Sequence, residues 1–363
     1  MTVLQLGPYP PPHGGVQTNL VAIRDHLRRH GMAAPVINLT RHRSRNRDDV
    51  FYPNTGREVL KLLWTIPADV IHLHIGGQLT PRLLALCLAC SLLPGRRLVL
   101  TFHSGGYPSG ESGRNARARS FQGFVLRRPD VVIAVNEEIA AWFRRLGVPE
   151  HRIKLLCPYA PVSVPDETVV PPAIREFVKS HSPVLTTVGL LEPEYDLALQ
   201  IDAMAEIRSR HANAGLIIVG SGSLEGELRR AIAATAVARD IMLCGDVPHA
   251  ATIRLLADSD LFLRTTRYDG DSVSVREALQ IGLPVIASDN GMRPEGVRLI
   301  PRSDAGALVA AIGEVLGQSA ARSRQRDDAL LPNLQPLDDV LSVYRRLVRY
   351  RVEPATPPMT SAS

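Results

Sequence analysis

The sequence predicts an α/β protein made of two Rossmann-like domains facing each other across a cleft, and three observations carry that expectation. Short apolar runs alternate with amphipathic segments along nearly the whole chain, as when strands feed crossover helices onto a parallel sheet. The alternation lapses once, in residues 157–172, CPYAPVSVPDETVVPP, whose five prolines mark a linker. At 363 residues the chain exceeds what one core comfortably serves, so two domains of roughly 150 to 180 residues are expected. The expected division is a first domain over 1–160 and a second over 161–335. A helix over 336–352 is placed to pack back on the first domain, and a tail over 353–363 lacks apolar periodicity and is expected to be disordered.

In the first domain, residues 3–7 (VLQLG) read as a strand, and a proline-rich turn then brings Gly14 and Gly15 to the start of an amphipathic helix. This loop lacks the G-x-G-x-x-G spacing of a dinucleotide site and the Lys-Ser/Thr of a P-loop. Paired glycines at a helix start still let a ligand come close to the backbone. Strands follow over 35–39, 70–74, 98–103 and 131–135, with helices over 58–65, 82–93 and 137–146. Polar residues gather at the strand ends: His74-Ile75-Gly76-Gly77, His103-Ser104-Gly105-Gly106 and Asn136-Glu137-Glu138. Ligands of parallel sheets bind at such ends. His72 reads as a satisfied core histidine, while His103, just before two glycines, has the better claim to a site.

The second series runs strand 183–189, helix 197–210, strand 216–220, helix 224–234, strand 241–244 and helix 250–257. The stretch DLFLRTTRYDGDSVSVREALQIGLPVIAS, residues 260–288, then gives a strand, a polar turn, a helix capped by Ser272 and ending near Gly282, and another strand. A strand over 297–300 and helices over 304–316 and 337–349 complete the chain. A helix opened by DGDS presents free N–H groups and the positive end of its dipole, a ready place for a phosphate. Asp269 stands before that helix and Glu277 lies eight residues later within it, so the two carboxylates frame the place. Val219-Gly220-Ser221-Gly222-Ser223, a glycine turn entering a helix, is a second candidate for holding part of a nucleotide.

Composition narrows the function classes. Hydrophobic residues at 45% and charged residues at 21% describe an ordinary globular chain, not a disordered or fibrous one. The start MTVLQLG enters a strand at once, and the most apolar run, Leu83–Leu93, is too short to span a bilayer, so a cytoplasmic location is expected. Cys87 and Cys90 form a C-x-x-C, but within LLALCLACSLL they read as buried small residues, not as a redox or metal pair. Charge is uneven: residues 1–160 carry 21 Lys and Arg against 10 Asp and Glu. Arg41, Arg43, Arg45 and Arg47, with Arg114, Arg117, Arg119, Arg127 and Arg128, suit a phosphorylated acceptor or the anionic inner face of a cell membrane. The basic segments lack aromatic interleaving, which argues against nucleic acid.

With these features assembled, the chain resembles the retaining glycosyltransferase family 4 group, the glycosyl transferases group 1 of GT-B fold. The resemblance covers nearly the whole chain. It rests on the GGVQ loop, the HSGG turn, the VGSGS turn, CGDVPHAATIRLLADSDLFL and, most specifically, DGDSVSVREALQIGLPVIAS. Members carry an acidic pair eight residues apart, usually Glu and Glu, the first at the donor sugar and the second at the ribose. Asp269 and Glu277 match those positions. The resemblance implies that backbone amides of Asp271, Ser272, Val273 and Ser274 meet the sugar and diphosphate, and that Gly14 and Gly15 approach the phosphates. Gly189, Gly220, Gly222, Val247 and Gly270 would complete the donor side. His103 matches the histidine beside the transferring sugar, which makes His103 and Asp269 the catalytic candidates.

The chain also departs from the family. Where members have an Arg, and five residues later a Lys, to neutralise the diphosphate, this chain has Leu190 and Tyr195. A pyrophosphate calls for charge-assisted partners worth roughly 1.5 to 3 kcal/mol each. Arg264, Arg267, Arg276 and Arg293 surround the acidic motif, and Arg264 or Arg267 is expected to supply part of the missing charge. Asp269-Gly270-Asp271 has the form of a metal-binding D-x-D, yet a two-sheet architecture favours helix dipole and cations at the leaving group, so no metal and no cofactor are expected. The activity this implies is transfer of a sugar, with retention, from a nucleotide diphosphate sugar to an acceptor hydroxyl. The setting would be surface polysaccharide or glycolipid assembly. A nucleotide-sugar epimerase and a non-catalytic sugar-nucleotide or glycan-binding module are the alternatives.

Overall fold

The computed structural model describes residues 1–10, 14–40, 49–156, 164, 169–269, 272–291, 293–322 and 335–349. Contacts divide the chain into two compact units, one of residues 1–11, 16–160 and 334–363, the other of 12–15 and 161–333. The Arg41–Arg47 loop, most of the proline-rich linker, Gly270, Asp271 and the tail lie outside the described residues.

In the first unit, seven strands form a parallel sheet: β1 (Val3–Gly7), β2 (Val36–Asn38), β3 (Val50–Phe51), β4 (Val70–Ile75), β5 (Arg97–Phe102), β6 (Val131–Ala134) and β7 (Ile153–Leu155). Their order across the sheet is β3-β2-β1-β4-β5-β6-β7. The edge strands β3 and β7 are two and three residues long, too short to announce themselves as apolar runs. Strand residues alternate between the two faces. Leu4, Leu6, Ile71, Leu73, Leu98 and Leu100 meet helices Gly56–Thr65, Pro81–Ser91, Phe121–Leu126 and Glu137–Arg145. Val3, Val70, Val99 and Ile133 face the other way, onto helix Gly15–Arg29 and the C-terminal helix Gln335–Arg349. Cys87 and Cys90 are buried in the first of these cores, and burial pushes the Cys87 thiol up to about 12 and that of Cys90 higher still. Local chemistry sets the helix starts: Thr55, Thr80, Ser120 and Asn136 each accept a backbone N–H three residues on, and Pro81 occupies the first turn after Thr80.

The second unit holds six parallel strands: β8 (Val184–Val188), β9 (Gly215–Val219), β10 (Ile241–Gly245), β11 (Leu261–Arg264), β12 (Val285–Ser288) and β13 (Val297–Ile300). Their order is β10-β9-β8-β11-β12-β13, so the direction of winding reverses between β8 and β11. Helices Leu197–Arg210, Glu225–Ala234 and Ala305–Arg322 cover one face through Leu185, Leu216, Ile218, Leu263 and Ile286. Helices Pro172–Ser180, His249–Ala257 and Val273–Gln280 cover the other. The first of these was missed in the sequence because the last linker prolines, Pro171 and Pro172, open it; a proline lacks only an N–H that a helix start leaves unpaired anyway. No helix among the described residues is long and apolar enough to cross a membrane.

Three imidazoles of the first unit, those of His72 and His74 on β4 and of His103 just after β5, lie close together. Burial lowers His72 to about 3 and His103 to about 3; burial, with the neighbouring His72 and His103, lowers His74 well below its usual range. All three are therefore neutral when folded, but an unfolded histidine protonates near pH 6.5. Their contribution to stability is complete above that pH and falls as the pH drops through it, by roughly 1.4 kcal/mol per pH unit for each histidine. Both tryptophans, Trp64 and Trp142, lie in this unit. Urea denaturation followed by tryptophan fluorescence is accordingly expected to show a midpoint that falls steadily from pH 7 to pH 5. A level profile over that window would refute the neutral cluster.

Candidate active site

In the second unit the polar residues meet where the winding reverses, at the carboxyl ends of β8 and β11, the place where open parallel sheets bind ligands. Arg264, the last residue of β11, is buried. Its Nε and Nη2 reach Asp269 Oδ2 at 2.9 and 2.8 Å, and its Nη1 donates to the Val188 carbonyl of β8 at 2.8 Å. Arg293, in the loop after β12, brings Nη1 to the same carboxylate oxygen at 3.1 Å, while its Nη2 and Nε donate to Thr266 and to the Ser288 carbonyl. Two guanidiniums thus converge on one carboxylate, so these three described groups together carry one positive charge. Burial would raise the Asp269 pKa, but Arg264 and Arg293 outweigh it and hold the carboxyl below its ordinary 3.8.

The arginine side chain rests on Tyr195. The Arg264 guanidinium carbon lies 4.6 Å from the centre of the Tyr195 ring, a cation–π distance. Gly189 makes room for both, because a Cβ there would lie 2.2 Å from the Tyr195 ring and 2.9 Å from the Arg264 guanidinium. Leu190 is exposed. Arg267 takes a different course: it is exposed and pairs with Asp196 at 3.1 Å, so Arg293, not Arg267, joins Arg264 at Asp269. Gly220 combines φ +135° with a Cβ position only 1.8 Å from the Gly189 carbonyl oxygen, a contact no side chain tolerates. Gly222 packs in the same way against the Leu191 backbone, and Leu191 N–H donates to the Ser221 carbonyl. The glycines of the two turns therefore hold the loops after β8 and β9 together, and Val247 is buried beyond them.

Ser272 caps helix Val273–Gln280 by accepting from Val275 N–H, and Ser274 Oγ donates to the Val188 carbonyl at 3.4 Å. Glu277 is buried within this helix and its Oε1 meets His249 Nε2 at 2.7 Å. The Glu277 hydrogen bond raises the His249 pKa against the opposing effect of burial. His249 was not singled out in the sequence, although it lies in the CGDVPHAATIRLLADSDLFL stretch; it opens helix His249–Ala257, which packs beside the helix of Glu277.

Gly14 and Gly15 stand at the start of helix Gly15–Arg29. His103 follows β5 directly, its N–H on the Ile75 carbonyl, and its Nε2 lies 3.3 Å from His74 Nδ1. His72 pairs with Thr101 at 2.6 Å and with the Tyr344 hydroxyl at 2.5 Å, the satisfied core position its alternation suggested.

The ion triad makes a direct prediction. Arg264→Met strands a largely buried carboxylate with one cation and is expected to destabilise the protein by about 3 kcal/mol. Combined with Asp269→Asn, the two changes should show a coupling of roughly 1 to 3 kcal/mol in a double-mutant cycle measured by urea denaturation and circular dichroism. Simple additivity would mean that the pair does not hold this turn.

Known proteins resemble the chain in sequence and fold. Residues 3–158 match the family model of the glycosyl transferase 4-like domain, and residues 173–329 that of the glycosyl transferases group 1. A 2-deoxystreptamine N-acetyl-D-glucosaminyltransferase of Streptomyces fradiae is 28% identical over 305 residues, 78% of this chain and 71% of the relative. A GDP-mannose-dependent monoacylated alpha-(1-6)-phosphatidylinositol monomannoside mannosyltransferase of Corynebacterium glutamicum is 33% identical over 123 residues, 32% of each chain. The crystal structure of Anabaena HepE in complex with UDP-glucose superposes with a TM-score of 0.68 at 16% identity, covering 97% of this chain and 99% of that one. With both units matched and the fold shared end to end, the chain belongs to the group 1 glycosyltransferases of GT-B fold.

Proposed function

We propose that this glycosyltransferase uses a nucleotide diphosphate sugar and transfers the sugar with retention, without a metal ion, to the hydroxyl of a sugar or lipid-linked acceptor. The observation that carries the reading is the pair of anchored carboxylates, Asp269 and Glu277, on either side of one helix start at the reversal point of the second sheet. In this reading the first unit binds the acceptor. Glu277 meets the ribose, the helix start receives the diphosphate, and the excess positive charge of Arg264 and Arg293 stands in for the cations absent at Leu190 and Tyr195. Metal independence is supported by the same triad, since two guanidiniums on one Asp269 oxygen oppose the approach of a dication. The named relatives point to hexosyl and N-acetylhexosaminyl donors. Incubation with UDP-glucose, UDP-N-acetylglucosamine and GDP-mannose, with and without cell lipid extract, tests this. Nucleotide release that requires acceptor, an α-linked product from the α-linked donor by proton NMR, and activity unchanged by excess EDTA are expected. An epimer formed without acceptor, or binding without turnover, would assign the chain to an isomerase or a binding module.

An acceptor held at a lipid surface fits the first unit. The outer side of its helix layer exposes Leu60, Trp64, Leu92, Phe121 and Phe124, with Trp64 67% accessible. Exposed Arg57, Lys61, Arg117, Arg119 and Arg128 lie on the same helices or the turns that lead into and out of them, and Arg96 ties down the end of helix Gly56–Thr65 by donating to the Leu63 and Trp64 carbonyls. Aromatic and leucine side chains among cations suit an anionic bilayer, where each surface Lys or Arg contributes about 1 kcal/mol. Flotation with phosphatidylcholine vesicles containing phosphatidylglycerol should therefore recover the protein at low salt. Pure phosphatidylcholine vesicles, or the triple substitution Trp64→Ser, Phe121→Ser and Phe124→Ser, should not. Equal recovery of the triple variant would remove this surface from the proposal.

A further inference from the structure

Gln5, His74 and His103 form a line of side chains inside the first unit. The Gln5 carbonyl oxygen Oε1 lies 3.1 Å from His74 Nε2, and His74 Nδ1 lies 3.3 Å from His103 Nε2. The ring centres of His74 and His103 are 5.6 Å apart with planes only 20° from parallel. Gln5 and His74 are fully buried on the neighbouring strands β1 and β4, which hold them at the point where the winding of the first sheet reverses. On the other side His74 is backed by the His72 ring at 4.0 Å, itself fixed between Thr101 and Tyr344. Gln5 and His72 therefore hold His74 from two sides, and its Nδ1 faces His103.

Hydrogen-bond polarity then fixes the protons. A carbonyl oxygen only accepts, so His74 Nε2 donates to Gln5 and carries the proton of the ring. A neutral imidazole has one proton, which leaves His74 Nδ1 bare and obliges it to accept from His103 Nε2. We propose that His74, oriented by Gln5, is a positioning residue that holds His103 with its proton on Nε2 and presents a bare Nδ1 to the substrate. His103 then takes part in transfer as a neutral hydrogen-bond acceptor for a sugar hydroxyl, neither as a cation nor as a proton donor. The neutrality that burial imposes on all three rings agrees with this. The inference deepens the proposed function and rests on it only in placing His103 beside the substrate.

Two measurements separate the parts. Histidine-selective ¹⁵N NMR of the intact chain, which needs no substrate, is expected to show an exchange-protected Nε2–H on His103 and a non-protonated Nδ1. In His74→Leu that protection should be lost while the remaining spectrum stays dispersed. A proton on Nδ1 in the wild type would mean that Gln5 turns its amide nitrogen to His74 and that the line runs in reverse, which overturns the proposal. Kinetics with whichever of UDP-glucose, UDP-N-acetylglucosamine or GDP-mannose the wild type consumes gives the second reading. His74→Leu should lower kcat roughly tenfold to a hundredfold, as for a misaligned reacting group, with donor KM within about twofold. His74→Asn, whose amide oxygen can still accept from His103 Nε2, should recover most of kcat. Loss of KM and kcat together, or no recovery with Asn, would reduce His74 to a packing residue. If the NMR pattern holds and none of the sugars is consumed, the orientation of His103 stands and the proposed activity falls.

Discussion

Asp269 has little contact with water yet stays charged, and the carboxyl ends of β8 and β11 are built around that requirement. A buried carboxylate is costly unless cations and hydrogen bonds compensate for lost hydration, and here two guanidiniums share one of its oxygens. Arg264 does more than neutralise. Because its third nitrogen donates to Val188, the same group that answers Asp269 pins one strand end to its neighbour across the reversal point. The Tyr195 ring beneath it and the bare Gly189 beside it supply the space and the apolar floor that a flat guanidinium prefers. Tyr195 therefore leaves no gap beside Gly189; its ring is an aromatic surface that carries the fixed Arg264 guanidinium.

The first unit solves a different problem. Its sheet is apolar on both faces, so each face needs a helical cover, and the crossovers supply most of it. One face is completed by a helix from the far end of the chain, which brings Leu337, Val340, Leu341 and Tyr344 to the core and sets the Tyr344 hydroxyl on His72. That face is also the one where polar groups are buried deepest. The imidazoles of His72, His74 and His103 are neutral and each has a partner, which lets histidines stand where a charged side chain would not.

Much of this was legible in the primary structure. The strands with continuous apolar runs were readable because burial on both faces forces an unmistakable composition, and the helix Leu197–Arg210 because its buried residues recur at helical spacing. Edge strands of two or three residues and the short helices Glu111–Asn115 and Phe121–Leu126 were not, since so few residues complete no period. Among the candidate residues, His103 and Asp269 were legible from their places after a strand and before a helix, and Glu277 from its spacing within that helix. Their partners Arg293, His249 and His74 were not assigned, for each lies 24 to 29 residues away in sequence and reaches its carboxylate or ring only through the fold.

By itself, then, the sequence determined the two parallel α/β units, the glycine-bearing turns at their strand ends and the acidic pair about one helix start, because periodicity and spacing along the chain express them. Only the tertiary structure decided which cation meets which carboxylate and which way a histidine points. Arg264 and Arg267 stand three residues apart and looked equivalent, yet one ends β11 facing inward to Asp269 and the other lies beyond the strand against Asp196. Pairings of this kind depend on a few ångströms between segments distant in sequence, a distance that no local pattern encodes.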